Sequence, residues 1–219
     1  MIYVSRRLLI TCLLLISACV VAGIWGLRSG AVTLETSQVF AALMGDAPRS
    51  MTMVVTEWRL PRVLMALLIG AALGVSGAIF QSLMRNPLGS PDVMGFNTGA
   101  WSGVLVAMVL FGQDLTAIAL AAMVGGIVTS LLVWLLAWRN GIDTFRLIII
   151  GVRAMLVAFN TWLLLKASLE TALTAGLWNA GSLNGLTWAK TSPSAPIIIL
   201  MLIAAALLVR RMRLLEMGD

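Results

Sequence analysis

The feature that most constrains this chain is an uncharged run from Val63 to Met84 with an arginine and a proline close together at both ends. The residues before the run read Arg59-Leu-Pro-Arg62, and the residues after it read Arg85-Asn-Pro. The run is longer than the about 20 residues that a helix needs to cross a bilayer. It therefore predicts a membrane-spanning helix with a polar corner at each end, which makes transport the first function to consider.

The composition defines the class of protein. The chain is 60% hydrophobic and 11% charged, with a mean hydropathy of +1.01, whereas a soluble domain carries about 25% charged residues. Because backbone exposed to lipid must satisfy its own hydrogen bonds, we expect an all-α integral membrane protein. The net charge of +6 comes from cations that cluster at the ends of apolar runs, so we expect no nucleic-acid partner.

Six membrane spans are predicted within one transmembrane domain that covers residues 1–219. The first uncharged run is longer than the apolar core of a signal peptide, so we expect it to stay attached. A small excess of Lys and Arg on the side of the N-terminus predicts that this end is cytoplasmic. Arg59 and Arg62 would then lie on the outer side. The predicted spans are 8–27, 63–84, 98–113, 115–138, 147–165 and 191–209.

Two connections and two glycine pairs are also distinctive. The segment before Arg59 predicts a short helix over 39–43 and a turn at 45–48. Pro87 and Pro91 disfavour helix in the residues that precede them, so this segment is either an ordinary loop or a gate or contact surface. The glycines of spans two and four favour close helix packing, with a pathway-lining face as the alternative. They are Gly70, Gly74, Gly125 and Gly126.

Arg153 is a full charge inside predicted span five, with Asn160 seven residues further on and nearly on the same helix face. A charge inside a membrane usually faces a cavity or a partner, which predicts a polar stripe on this helix. The alternative is that Arg153 extends to the cytoplasmic surface. The sequence carries no histidine and no nucleotide-binding Gly-x-x-x-x-Gly-Lys-Ser/Thr loop. We therefore expect no enzyme activity, no metal and no cofactor.

Four motifs resemble the FecCD (BtuC-like) permeases, the membrane subunits of ABC importers for iron–siderophores, haem and vitamin B12. The likeness covers essentially the whole chain and implies a BtuC-like polytopic helical permease, with about six of the family's about ten transmembrane helices present.

Ile150-Gly-Val-Arg is about two residues short of the family pattern, and the chain ends at Asp219, where the family's ATPase-coupling loop would start. We therefore expect this chain alone not to couple ATP hydrolysis to transport. The motifs are Arg59-Leu-Pro-Arg62, Leu73-Gly-Val-Ser-Gly-Ala-Ile-Phe-Gln81, Asn86-Pro-Leu-Gly-Ser-Pro91 through Gly95, and Trp178-Asn-Ala-Gly181-Ser-Leu.

The resemblance also implies roles for individual residues. Arg59 and Arg62 correspond to arginines that meet acidic residues of a periplasmic binding protein. Asn86 and Leu88 correspond to a loop that forms a cytoplasmic gate.

Further along the chain, Arg153 and Asn160 correspond to a helix that lines the translocation pathway. Glu216 and Gly218 fall where the ATPase-coupling loop would start.

The resemblance implies a permease subunit in the bacterial inner membrane. The expected substrate is an iron–siderophore complex, ferric enterobactin first, that moves from periplasm to cytoplasm. The expected partners are a second, homologous permease subunit in a heterodimer, cytoplasmic ATPase subunits, a periplasmic siderophore-binding protein and membrane lipid. The alternatives are a permease for haem or vitamin B12, a secondary transporter, and a non-transporting membrane anchor or assembly subunit.

Overall fold

The structure is a computed structural model that describes residues 6–84, 89–112, 114–137 and 142–217. Throughout these ranges the regular structure is helical and contains no strand, which confirms the all-α prediction. The α-helices are α1 (Arg6–Arg28), α2 (Thr36–Met44), α3 (Arg49–Met53), α4 (Leu60–Met84), α5 (Phe96–Phe111), α6 (Leu115–Ala137), α7 (Ile142–Lys166), α8 (Leu169–Ala180) and α9 (Trp188–Met217). A π-helical turn (Val54–Arg59) joins α3 to α4, and a 3₁₀ turn (Pro91–Met94) precedes α5.

Five helical stretches in the described ranges are long and apolar enough to cross a membrane. The third predicted span corresponds to α5, which has only 16 residues and is about 24 Å long. That is shorter than the about 30 Å of hydrocarbon in a bilayer. The five stretches are Arg6–Arg28, Arg49–Ser82, Leu115–Leu136, Leu147–Lys166 and Trp188–Leu208.

The helix that contains the opening run begins earlier than its apolar residues indicate. The α3 helix, the π-helical turn and α4 form one continuous stretch. In the π-helical turn the N–H of Leu60 bonds to the carbonyl of Val55, five residues back. The next residue, Pro61, has no N–H to donate. The carbonyl of Thr56 therefore lacks a donor from its own helix, and the indole N–H of Trp188 donates to it instead at 2.8 Å.

The short helix predicted near residues 39–43 is confirmed as α2. Glu35 and Gln38 form a reciprocal capping box at its start, which satisfies N–H groups that the first turn leaves without partners. Gly45 ends the helix at φ 86°, in the left-handed region that favours glycine.

The chain divides into two compact units, each with its own apolar contacts. The first unit comprises Met1–Val75 and Leu183–Arg213. Its buried cluster joins the end of α1 to α2 and the π-helical turn, so the loop between α1 and α2 is held on an apolar base. The cluster consists of Leu27, Leu34, Val39, Ala42 and Val55.

The second unit comprises Ser76–Ser182 and Leu214–Asp219. Its centre is the antiparallel pair α5 and α6, whose backbones approach closely at Gly99, Gly103 and Gly125. The α7 and α8 helices complete it, with Leu163 and Ala175 in the same buried cluster as α5.

Asp114 caps the start of α6, and its contribution to stability is expected to depend on pH. The hydroxyl of Thr116 donates to its carboxylate at 2.7 Å and the N–H of Ala117 donates at 3.2 Å. The Thr116 hydroxyl, followed by the Ala117 N–H, lowers the pKa of Asp114. A lowered pKa stabilises the fold above the carboxyl's unfolded value of about 3.9, and this contribution disappears as the pH falls through the folded value.

We therefore expect Asp114→Ala to lower the thermal midpoint of the detergent-solubilised protein at pH 7. The difference from the unmodified protein should narrow progressively below about pH 4. Melting curves recorded between pH 3 and pH 7 measure it. A difference that stays constant over this range would contradict a charge-dependent cap.

Candidate functional site

Arg59 is the most completely bonded of the predicted site residues that the structure describes. It is the last residue of the π-helical turn, and its side chain is partly buried in the first unit. Its Nη1 donates to the carbonyl of Leu27 at 2.8 Å and to that of Arg28 at 3.1 Å. Its Nη2 donates to the carbonyl of Val32. The guanidinium thus caps the last turn of α1, where carbonyls have no helical donors and carry partial negative charge.

The loop that follows α1 is closed around this guanidinium. The N–H of Leu34 donates to the Arg28 carbonyl at 3.0 Å, and Arg28 Nε donates back to the Leu34 carbonyl at 3.2 Å. Gly30 leaves room for the guanidinium, because a Cβ at this position would lie 2.7 Å from Arg59 Nη2. We call residues 29–33 the capped loop. The capped loop is held in place by Arg59, by the end of α1 and by the space at Gly30.

Arg62 has a different environment from Arg59. It lies three residues further along the helix and its side chain is exposed, while the intervening Pro61 is fully buried. In the Arg-Leu-Pro-Arg motif, Arg59 therefore bonds to the backbone of its own chain, whereas Arg62 is free to contact another molecule.

Arg153 lies on α7 in the second unit, with an exposed side chain. Its backbone packs against the turn at Gly95, where an added Cβ would lie 3.6 Å from Arg153 Cβ. Gly95 has φ 78°, so glycine is favoured there on conformational grounds as well. The side chain lines a shallow apolar groove along one face of α7. The groove is formed by Ile150, Arg153, Ala154, Val157 and Ala158.

Asn160 is buried rather than exposed beside Arg153. Its side chain is 5% exposed, and its Nδ2 donates to the carbonyl of Thr98 on α5 at 3.3 Å. Its Oδ1 is buried and meets no donor among the described residues. Arg153 and Asn160 share one helix but do not form one exposed polar stripe in this chain.

The FecCD transport family model matches residues 15–219. This chain belongs to the FecCD family. The match includes every residue to which the family resemblance assigns a role, so the family predicted from the motifs is confirmed.

The FecCD-family chain is 98% identical over 221 residues to the Ferric enterobactin transport system permease protein FepG of Escherichia coli (strain K12), which covers 100% of this chain and 67% of that protein. That alignment is longer than the 219 residues of the chain, as expected if the relative has additional residues within the matched region. The chain is also 36% identical to the Achromobactin transport system permease protein CbrC of Dickeya dadantii (strain 3937) over 94% of its own length and 60% of that protein.

The fold is similar to that of a solved metal-chelate type ABC transporter in an inward-facing conformation. The TM-score is 0.82 at 25% sequence identity, over 96% of this chain and 65% of the other. This chain therefore spans about two thirds of the length of these relatives.

The predicted gate of this FecCD-family chain is described only in its second half. Asn86 and Leu88 lie outside the described residues. After them, Ser90 caps the 3₁₀ turn by accepting from the N–H of Asp92 at 3.3 Å. Asn97 Nδ2 then donates to the Asp92 carboxylate at 2.6 Å. The segment next to the predicted gate is thus fixed by side-chain hydrogen bonds.

The predicted start of the coupling loop falls at the end of α9. Glu216 lies in the last turn of this helix, which extends to Met217 rather than ending near residue 209. The side chain of Glu216 and the whole of Gly218 lie outside the described residues.

The close packing predicted for Gly125 is found, but its partner glycines and one long-range hydrogen bond were not identified from the sequence. The α5–α6 contact is formed by Gly99 and Gly103, four residues apart, opposite Gly125. Their four-residue spacing is a recognisable packing signal in membrane helices. In contrast, a Cβ at Gly70 or Gly74 would meet no atom within 4 Å, so these glycines mark no close helix contact within the described chain.

The second feature is the indole of Trp188, which donates to a carbonyl of the π-helical turn. Its sequence separation from Thr56 is 132 residues, and no local pattern predicts such a pairing.

Proposed function

We propose that this FecCD-family chain is a membrane permease subunit of an ABC importer that carries an iron–siderophore complex, ferric enterobactin, from periplasm to cytoplasm. The observation that carries the proposal is the 98% identity over the whole chain to a permease named for ferric enterobactin transport. At this identity nearly every side chain of the matched region is the same. The fold likeness to a metal-chelate type ABC transporter supports the same class of function.

The proposed importer has several parts. This chain lies in the bacterial inner membrane with a cytoplasmic N-terminus, and all its apolar helices, the short α5 included, belong to one transmembrane domain. It pairs with a second, homologous permease subunit in a heterodimer. Cytoplasmic ATPase subunits hydrolyse ATP, so the chain itself is not catalytic. A periplasmic siderophore-binding protein delivers the substrate.

Three further sites are proposed within this arrangement. Asn86 and Leu88 form the cytoplasmic gate, next to the segment braced by Asp92. Glu216 and Gly218 begin the connection to the ATPase.

Arg153 lines the translocation pathway. Its exposed position in an apolar groove supports this role, because a charge on a membrane helix is favourable only when it faces a cavity or a partner. A cation there suits an anionic iron–siderophore complex. Asn160 holds α7 against α5 beside this route, since its side chain is buried at that contact.

The test is uptake of ferric enterobactin by the complete importer in liposomes, with this sequence placed in a full-length permease subunit, ATP inside and the siderophore-binding protein outside. We expect substrate-stimulated uptake that requires both. Arg62→Glu should weaken docking of the binding protein by roughly tenfold or more, because it places like charge opposite an acidic partner surface. Arg49→Glu is the matched control: it changes the same charge at another exposed residue of the first unit.

Arg153→Gln provides a second arm of this experiment. It should reduce uptake while docking stays normal, since it alters the route and not the outer surface. Absence of uptake by the complete importer would overturn the transport function and favour a non-transporting anchor. Unchanged docking of Arg62→Glu would overturn the docking site alone.

A further inference from the structure

We propose that Arg59 is a positioning residue of the docking surface, and that Arg62 alone makes the direct ionic contact with the binding protein. Arg59 acts by holding the capped loop, residues 29–33, against the end of α1. This division of roles rests on the docking function proposed above. It assigns different roles to Arg59 and Arg62, to which the motif alone assigns the same role.

The hydrogen bonds of Arg59 are the first argument. A guanidinium has five N–H donors in a fixed plane. Arg59 uses Nη1 for two backbone carbonyls and Nη2 for a third. A bidentate contact with a partner carboxylate would require some of these charge-assisted bonds to break, which would remove the guanidinium donor from carbonyls at the end of α1, that of Leu27 among them.

The capped loop gives the second argument. Arg59 donates to the Leu27 and Arg28 carbonyls, which precede the loop, and to the Val32 carbonyl within it. The side chain of Val32 is 63% exposed. Arg59 thus fixes the backbone of a loop whose apolar tip is available to a partner.

The helix geometry gives the third argument. Arg59 ends the π-helical turn, and Arg62 lies nearly one turn further along the same helix with its side chain exposed. The buried Pro61 stands between them. The capped loop and the exposed cation are therefore anchored to the same rigid stretch, so loss of the cap displaces the loop while the charge of Arg62 remains.

Gly30 allows the idea to be tested without removal of a charge. A Cβ at Gly30 would lie 2.7 Å from Nη2 and 3.1 Å from Cζ of Arg59. Gly30→Ala should therefore push the guanidinium away from its carbonyls. Gly176→Ala is the matched control, because a Cβ there would meet no atom within 4 Å.

The experiment measures docking of the siderophore-binding protein to the complete importer at several salt concentrations. Arg62→Gln should weaken docking and flatten its salt dependence, since it removes an exposed interacting charge. Arg59→Gln and Gly30→Ala should both weaken docking by roughly three- to tenfold at every salt concentration and leave the salt dependence unchanged. Arg59→Lys should recover only part of the loss, because an ammonium lacks the planar fork that reaches several carbonyls.

A local measurement accompanies the binding assay. Val32→Cys, in a background where Cys12 and Cys19 are replaced by serine, reports the order of the capped loop through its rate of thiol labelling. Arg59→Gln and Gly30→Ala should change this rate, and Arg62→Gln should not.

Two results would overturn the positioning role while the proposed function stands. One is that Arg59→Gln flattens the salt dependence as Arg62→Gln does. The other is that Gly30→Ala docks normally while its capped loop labels at an altered rate. If neither arginine variant alters docking in an importer that still transports, the docking site itself is wrong. Gly30→Ala keeps the test decisive if Arg59→Gln does not fold, because it retains every charge.

Discussion

Gly125→Ala is expected to destabilise the second unit strongly, whereas Gly126→Ala at the adjacent position should be nearly neutral. A Cβ at Gly125 would overlap the carbonyl oxygen of Gly99 and lie 3.1 Å from the backbone nitrogen of Gly103. A Cβ at Gly126 would lie 3.7 Å from Ala100 Cβ, an ordinary van der Waals contact. The two substitutions add the same methyl group to the same helix and differ only in direction.

The expected cost at Gly125 follows from what the methyl group meets. Backbone atoms cannot turn aside as a flexible side chain can, so α5 and α6 must move apart along their contact. Overpacking of this kind costs about 1–3 kcal/mol, occasionally more. In a membrane, where helix association depends on close packing, the lost contacts are not replaced by a hydrophobic driving force.

Thermal unfolding of the detergent-solubilised chain measures the effect, with helix content and tryptophan fluorescence as the two signals. We expect Gly125→Ala to lower the midpoint clearly and Gly126→Ala to leave it within error. Gly103→Ala should resemble Gly125→Ala, because its Cβ would overlap the carbonyl of Ala121. Equal midpoints for Gly125→Ala and Gly126→Ala would show that the helices are not packed at Gly125 as described.

Trp188→Phe is expected to destabilise the first unit through the loss of a single hydrogen bond. The indole Nε1 donates to the Thr56 carbonyl at 2.8 Å, and that carbonyl has no helical donor because residue 61 is proline. Phenylalanine keeps most of the ring volume but leaves a partly buried acceptor unsatisfied, which costs about 1–3 kcal/mol. Trp25→Phe is the control, since Trp25 is 69% exposed.

A double-mutant cycle with Pro61→Ala isolates the cause. Alanine at 61 supplies the N–H that proline lacks, and in the π-helical register this N–H is placed to reach the Thr56 carbonyl. We therefore expect Trp188→Phe to cost less in the Pro61→Ala background than in the original chain, as measured by thermal midpoints. Strictly additive effects of the two substitutions would contradict the assignment of Trp188 as the replacement donor.

The local parts of the fold were predictable because their causes are local. The Arg-bracketed run from Val63 to Met84 predicted a membrane helix, and Gly45 predicted the end of α2. The third predicted span, 98–113, has the length of α5 but lies two residues too far along the chain, since α5 starts after Gly95 and ends at Phe111. A hydropathy pattern measures apolar length but does not report where a capped turn interrupts it.

The candidate site was only partly predictable for a related reason. The motif identified Arg59 and Arg62 together, and the family of the chain followed from the same residues. Nothing in the spacing of the motif distinguishes their environments. The distinction depends on a π-helical turn, on Gly30 and on carbonyls at the end of α1 and in the capped loop, which lie 27 to 32 residues away from Arg59 in the sequence.

The sequence by itself determined the membrane class, the all-helical fold and the family. These follow from hydropathy, from the residues that start and end helices, and from short motifs, all of which can be recognised within a few helical turns of sequence. Only the tertiary structure decided which arginine is bonded to backbone and which is exposed, that Asn160 is buried against α5, and which glycines bring helices together. Each of these depends on groups far apart in sequence that share unsatisfied hydrogen bonds or limited space. The polar segment before Val63 thus consists of Arg59, which is bonded to the capped loop, and Arg62, which is exposed.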